Sequence, residues 1–297
     1  MLAILRKELA DYLNSIRFLI LLFLALLISA IALYGAFQGI RSTTAEHFIF
    51  LRLFTTEPPG VPFAFLFSFV NFLALFFIPI IGIILGFDAI NRERSTGTLS
   101  RILTQPIYRD SVINGKFLAS IVLLAIMMTT AVLIVAGYGL RMIGVPPNAE
   151  EIIRLFIYLV FIIVYGAFWI GLSMLFSVLF RSLATSLLTS IALWIFFSFG
   201  IFFAALALME TPETAQTLLL FSPNWLFGQA TTALLHPTIR TLGTITQAEA
   251  AFMVPNPLSL GQSLLLIWPY VTGLVSLTVI CFAISYVLFM KQEIRAT

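Results

Sequence analysis

Residues 62–116 read PFAFLFSFVNFLALFFIPIIGIILGFDAINRERSTGTLSRILTQPIYRDSVINGK. The first 26, Pro62 to Phe87, carry no formal charge, whereas the next 29, Asp88 to Lys116, carry eight. A helix rises 1.5 Å per residue, so roughly 20 apolar residues cross a hydrocarbon core about 30 Å thick. The first part is therefore long enough to cross a membrane, and the charges that begin at Asp88 mark where the chain returns to water.

Outward from this stretch the alternation repeats. Phe18 to Ile40, Phe117 to Leu140, the run between Arg154 and Arg181, Ser182 to Met209, and Ser263 to Met290 are each long and free of charge, giving six predicted spans. Of the 297 residues, 61% are hydrophobic and 10% charged; a soluble domain holds about 45–50% and about 25%. One water-exposed globule is excluded, and an all-α polytopic membrane protein forming one transmembrane unit over 1–297 is predicted. Thr214 to Ile239 is also charge-free, but Pro223, Asn224, Gln229, Thr231, Thr232, His236 and Pro237 read as a segment that re-enters the bilayer or lies at its interface.

Parity agrees with six. Six spans put both termini on the side of segments 88–116 and 181–186, which gathers 11 of the 16 Lys and Arg residues; Arg41, Arg52, Arg141, Arg154 and Arg240 fall opposite. The positive-inside rule then predicts cytoplasmic termini, whereas seven spans would export Lys291 and Arg295. Arg6 and Lys7 precede an apolar run containing Ala30-Ile31-Ala32, but the run continues to Phe37, too long for a signal peptide, so an uncleaved first span is expected.

Residues 1–17 set Leu2, Leu5, Leu9, Tyr12, Leu13 and Ile16 at helical spacing, with Lys7, Glu8, Asp11, Asn14 and Ser15 toward the other face. This predicts an amphipathic helix in the interface, serving as an anchor or docking a partner. Segment 88–116 predicts a helix continuing from span two, a break near Gly97, a short helix with Leu99, Ile102 and Leu103, a turn at Pro106, and a cap at Asp110 or Ser111 for the helix entering span three. Leu99, Ile102, Leu103 and Ile107 form an apolar knob ringed by Arg92, Arg94, Arg101 and Arg109, the composition of a docking surface. Alternatively, the knob packs on the chain's own helix ends and the arginines meet lipid phosphates. The 181–186 loop offers one small contact, and 210–262, with Pro212, Pro223, Pro237, Pro255 and Pro257, suits broken helices dipping partway into the bilayer.

Several chemistries are missing. No charge sits mid-span, which weighs against a proton-driven carrier, since such a charge costs at least about 2.5 kcal/mol and is kept for coupling. His47 and His236 lie outside any metal-ligand spacing, Cys281 is the single cysteine, and a net charge of +3 leaves no broad basic surface for nucleic acid. There is no phosphate-binding loop of the G-x-x-x-x-G-K-[ST] type and no catalytic or metal set is expected. Gly35 with Gly39, and Gly82 with Gly86, suit close helix packing, with dimer contact the minor option.

Arg6-Lys7-Glu8-Leu9 with Asp11, then Phe87-Asp88, Glu93, Gly97-Thr98-Leu99, Leu103, Pro106-Ile107, Arg109 and Gly115-Lys116, resemble the type-2 permease subunits of ATP-binding cassette transporters. The branch with the nearest look contains the nitrous-oxide-reductase maturation permease and assorted multidrug, bacteriocin and sodium efflux permeases. The resemblance implies a half-transporter of the type V exporter class in a prokaryotic cytoplasmic membrane. It would pair with a second permease copy or a paralogue and with two copies of a separate cytoplasmic ATPase, which would hold ATP and magnesium; this chain would carry no cofactor.

Under the resemblance, residues 1–17 become a connecting helix, 91–110 the main coupling helix, 181–186 a minor one, and 210–262 re-entrant helices closing an outer gate. The ATPase interface would comprise Glu93, Arg94, Gly97, Thr98, Leu99, Ile102, Leu103, Pro106, Arg109, Lys116 and Arg181. Glu93 and Arg94 would brace span two, Gly97 permit a bend, and Leu99 with Leu103 fill a groove, while Arg109 and Lys116 pair with acidic groups or lipid phosphate. The translocation pathway would be walled by Phe69, Asn71, Phe72, Phe76, Trp194, Phe197 and Phe199, favouring an apolar, amphipathic or peptide cargo, unless these rings face lipid or core. Two other functions remain open: transmission of ATP-driven motion to an extracytoplasmic partner without solute transport, and an ATP-independent channel or carrier.

Overall fold

A computed structural model describes residues 1–41, 48–57, 60, 68–95, 97, 108–208, 212–237 and 258–291. Among them every regular element is helical, and six helices are long and apolar enough to cross a membrane: Ile16–Ile40, Phe69–Ser95, Arg109–Ile143, Ala149–Leu179, Leu183–Ala207 and Leu260–Lys291, numbered here as spans one to six. A leading helix, Leu2–Leu13, precedes span one. A short helix, Ile49–Thr55, follows it, and a hairpin of two helices, Pro212–Leu219 and Pro223–Leu235, joins spans five and six.

Local chemistry sets several of these boundaries. Ser15 donates its hydroxyl to the Tyr12 carbonyl (2.6 Å) and accepts the Phe18 N–H (3.3 Å), so one side chain ends the leading helix and starts span one. Gly144, at φ +76°, ends span three in the left-handed conformation that a residue with a Cβ resists. Asn148 and Glu151 form a reciprocal capping box at the start of span four. Span three departs from expectation at its first turn. It begins at Arg109 with Tyr108 in the cap position, and Asp110 instead accepts the N–H of its neighbour Ser111 (2.7 Å). Asp110 lies one residue inside the helix, where its charge still favours the positive end of the helix dipole.

Spans two and four form the centre, with 67% of their most apolar windows buried, against 22% for span five and 17% for span six. Lipid tails are as apolar as leucine, so close packing and interhelical hydrogen bonds hold membrane helices together. Glycine supplies the packing. A Cβ on Gly82 would lie 2.5 Å from Trp169 Cβ, and one on Gly86 would lie 2.8 Å from the Ile170 carbonyl, which makes this pair the seam between spans two and four. Gly39 likewise packs against the Thr56 and Glu57 segment. Trp169, Tyr165, Ile170, Ile81 and Leu124 fill the interior around the seam.

Candidate functional site

Two regions of polar chemistry lie at opposite ends of span two. At its C-terminal end the helix ladder breaks through turn 87–90 and resumes over Asn91–Ser95, which leaves backbone groups to be satisfied from outside. Hydroxyls from four other elements do so. Ser173 donates to the Ile83 carbonyl (3.0 Å), Tyr12 and Ser120 to that of Leu85 (3.3 and 3.4 Å), and Ser186 to that of Phe87 (3.0 Å). Ser177 accepts the N–H groups of Ile90 and Asn91 (3.0 and 3.1 Å), capping the resumed helix.

An ion cluster closes the same end. Lys116 Nζ lies 3.0 Å from Glu8 Oε1 and 2.8 Å from Glu93 Oε1, with all three side chains at 12% exposure or less. Lys7 adds longer pairs to Glu8 and Glu93, and Arg17 meets Asp88 at 2.6 Å while its guanidinium sits 6.0 Å from the Phe87 ring. Gly115 permits the approach, since a Cβ there would lie 2.9 Å from Ile4 of the leading helix. The Gly115-Lys116 pair thus brings the leading helix down and then grips it together with span two. A cleft of about 590 Å³ between these elements is lined by Lys7, Glu8, Asp11, Tyr12, Arg17, Asp88, Arg92, Glu93 and Lys116.

The leading helix differs from its predicted faces. Its protein side is built on buried Ile4 and Glu8 with half-buried Leu5, Leu9 and Tyr12, while Leu2, Leu13 and Ile16 are exposed. Glu8 reads as polar in isolation, yet its partner lies more than a hundred residues away in the chain. Of the expected ATPase contacts, Glu93 turns inward to Lys116, and Arg94 is half-buried with Arg181 close enough to repel it. Gly97 has φ +68°, a left-handed conformation that glycine adopts without a Cβ clash, and Arg109 is half-buried in the first turn of span three. Thr98, Leu99, Ile102, Leu103 and Pro106 lie outside the described residues, as do Arg101 and Ile107.

The other region lies where spans two and five each contain a π-helical turn, Leu73–Phe77 and Phe196–Gly200. Such a turn loosens the i to i−4 ladder and turns carbonyls outward, which at membrane depth requires other donors. Tyr165 of span four lies 2.8 Å from the Ala74 carbonyl, Trp194 Nε1 donates to Leu75 (2.9 Å), and Ser222 donates to Phe197 (2.8 Å). Asn224 bridges the Tyr165 and Ser198 hydroxyls. With its carboxamide oriented so that the NH2 faces Tyr165, the Tyr165 proton is free for Ala74 and Ser198 donates to the amide oxygen.

The expected pathway residues divide here. Phe76, Trp194 and Phe199 form a ring cluster at 6.1–6.3 Å, extended by Phe72 at 5.4 Å from Phe76. Asn71 and Phe197 line a neighbouring cavity of about 270 Å³. Phe69 stands apart, buried at 1% exposure with its ring edge-on to Phe54.

Arg154 ties this half together. Fully buried, it donates to the Leu234 carbonyl (2.7 Å), Ser263 Oγ (3.0 Å), the Leu258 carbonyl (2.7 Å) and Glu150 (2.7 Å), and it lies over the Phe48 ring. One guanidinium therefore joins span four, the hairpin and the start of span six. Beside it, Glu151 accepts the Phe50 N–H (3.2 Å) and holds helix Ile49–Thr55. The sequence marks Arg154 only as a boundary. Glu150, one turn before it, is the readable sign of pairing.

A model of the ABC-2 family transporter protein matches residues 2–294. The chain is 31% identical over 245 residues to a probable ABC transporter permease protein NosY of Pseudomonas aeruginosa, covering 75% of this chain and 78% of that one. It is also 31% identical over 147 residues to a probable ABC transporter permease protein NosY of Stutzerimonas stutzeri, covering 50% of this chain and 46% of the relative. With the family match running from the leading helix through span six, this multi-pass membrane protein belongs to the ABC-2 transporter family and is a permease subunit of an ABC transporter.

Proposed function

We propose that this permease is one half of an ATP-driven exporter, pairing with a second permease copy and two copies of a cytoplasmic ATP-binding subunit. Residues 91–110 serve as the coupling segment and 181–186 as a smaller contact. ATP and magnesium belong to the partner subunit. Both termini face the cytoplasm of a prokaryotic cell, a placement supported by the 11 of 16 cations on that side. The observation that carries this reading is the cluster around Lys116, which joins the leading helix, the end of span two and the start of span three into one block. The coupling segment leaves and re-enters that block, so force on it displaces span two as a lever.

The hairpin is read as re-entrant. Its Leu234 end is bonded to Arg154 and its Asn224 end to Tyr165, eleven residues further along span four, which corresponds to about 16 Å of helix rise. The ring cluster of Phe72, Phe76, Trp194 and Phe199 walls the path for an apolar, amphipathic or peptide cargo. Leu99→Asp tests the docking assignment, with loss of ATP-binding subunit co-purification and of ATP-driven flux as the expected result; survival of both overturns it. A second reading, force transmission to an extracytoplasmic partner, is favoured by the Arg154 linkage, which ties the outer hairpin to central span four. ATPase activity stimulated by cargo in vesicles supports export, and activity responding only to an outer protein supports transmission.

A further inference from the structure

The 270 Å³ cavity at the π turns is built unlike the rest of the bundle. One face of the second hairpin helix, Trp225, Gly228, Gln229 and Thr232 at helical spacing, looks into it, while the opposite face, including Phe227 and Leu234, is buried in the core. Span two contributes Asn71, Ala74 and Leu75 from the far side, and span five contributes Phe197, Ser198 and Phe202. No Asp, Glu, Lys, Arg or His is among the described lining residues.

The polar groups are not all consumed by the protein. Asn224 and Ser222 are committed to Tyr165, Ser198 and Phe197. Thr232 donates to the Gly228 carbonyl (2.8 Å) and keeps its acceptor capacity. The Gln229 carboxamide makes no hydrogen bond to another described residue and faces the cavity, where a donor and an acceptor at membrane depth are costly unless something meets them. Gly228 leaves room for that occupant, since a Cβ there would meet no atom within 4 Å.

From this arrangement we infer that the cavity is a binding site for an uncharged amphipath, whose amide or hydroxyl head group bonds Gln229 and Thr232 and whose apolar body lies against Phe197, Phe202 and Trp225. A charged head group is disfavoured because no counter-charge lines the cavity. The volume is near the low end of ligand pockets, about 300 Å³, which fits a head group and the first part of a chain, with Phe202, 48% exposed, at the rim. This deepens the exporter reading and rests on its placement of the hairpin at membrane depth.

The test uses the full permease alone in lipid nanodiscs, with a dodecanamide probe carrying a diazirine on its chain and peptide mapping of the cross-links. Saturable labelling within 212–235 is expected. It should be competed by dodecanamide or dodecanol at concentrations at least tenfold below those needed for dodecyl sulfate, dodecyltrimethylammonium or dodecane. Gly228→Leu fills the cavity and should cut saturable labelling at least tenfold, and Gln229→Leu, close in volume, about fivefold for one lost hydrogen bond. Both variants are checked by gel filtration and melting, and Gln229→Leu carries the test if Gly228→Leu does not fold. Unsaturable labelling, equal competition by the charged detergents, or wild-type labelling in both folded variants overturns the site. No ATP-binding subunit is present, so failure of the exporter reading leaves the labelling intact. In the reconstituted complex, dodecanamide-stimulated ATPase activity that Gly228→Leu abolishes, with subunit binding unchanged, links the site to export.

Discussion

A lysine buried at the end of an apolar helix is costly unless carboxylates meet it, and Lys116 has two. Lys116→Met removes the cation that, among the described residues, lies nearest to both Glu8 and Glu93, leaving Lys7, half exposed, at 3.5 Å and 3.9 Å. Stability should fall by about 3–5 kcal/mol, as in other broken buried pairs, read as a lower melting midpoint in detergent. Adding Glu8→Gln and Glu93→Gln should restore most of it; no recovery would show that the cluster does not hold the leading helix. Gly115→Val acts on the same joint by displacing Ile4. In a Cys281→Ser background, Ile4→Cys should then react with maleimide at least tenfold faster. Lys116, Glu93 and Gly115 are visible in the sequence as a conspicuous block, whereas Glu8 looks like a solvent residue because its burial depends on a helix that arrives a hundred residues later. At the other end, burial and the nearby Arg52 push His236 down to about 4. The unfolded form takes up the proton first, so this contribution is present above about pH 6.5 and is lost as pH falls toward 4. The melting midpoint should drop across that window, and by less in His236→Gln; equal slopes would refute the burial of a neutral imidazole.

Helix order and span number follow from charge-free length, which is a property of composition and so can be read directly. The π turn of span five cannot, because nothing local in Phe196–Gly200 distinguishes it from other aromatic runs, whereas that of span two has a local sign in Pro79, which lacks the N–H that would meet the Leu75 carbonyl four residues before it. In both, the freed carbonyls are met by donors from elsewhere, Tyr165, Trp194 and Ser222. Tyr165→Phe leaves the Ala74 carbonyl without its donor, an expected cost of about 1–3 kcal/mol for a buried unsatisfied group. Faster amide exchange over 73–77 should show it, and unchanged exchange would mean that the turn is self-supporting. The hairpin between spans five and six has the same dependence on a remote residue. Arg154→Met strips donors from the Leu234 and Leu258 carbonyls at once, so exchange over Pro223–Leu235 should rise while that of the spans two and four seam stays near wild type. Uniform acceleration would place Arg154 in global stability instead.

At the scale of the whole molecule, unequal covering of the spans poses the question of what covers the rest. Spans five and six are both thinly buried, yet their exposed sides differ in neighbourhood. Span five carries Trp194 and Phe199 in one ring cluster with Phe76 and half-buried Phe72 of span two, so its open side continues that ring wall. Span six exposes Leu265, Val279, Ile280 and Val287, aliphatic groups that liquid lipid tails satisfy as well as a protein would. A second permease copy is therefore expected on the side of span five, with span six against lipid. In membranes carrying a cysteine-free background, Leu188→Cys or Ile195→Cys, both exposed on span five, should form cross-linked pairs with a short bifunctional reagent, and Val279→Cys or Ile284→Cys on span six should not. The opposite pattern would move the pathway away from the ring cluster, since a wall between two copies requires both to present that side.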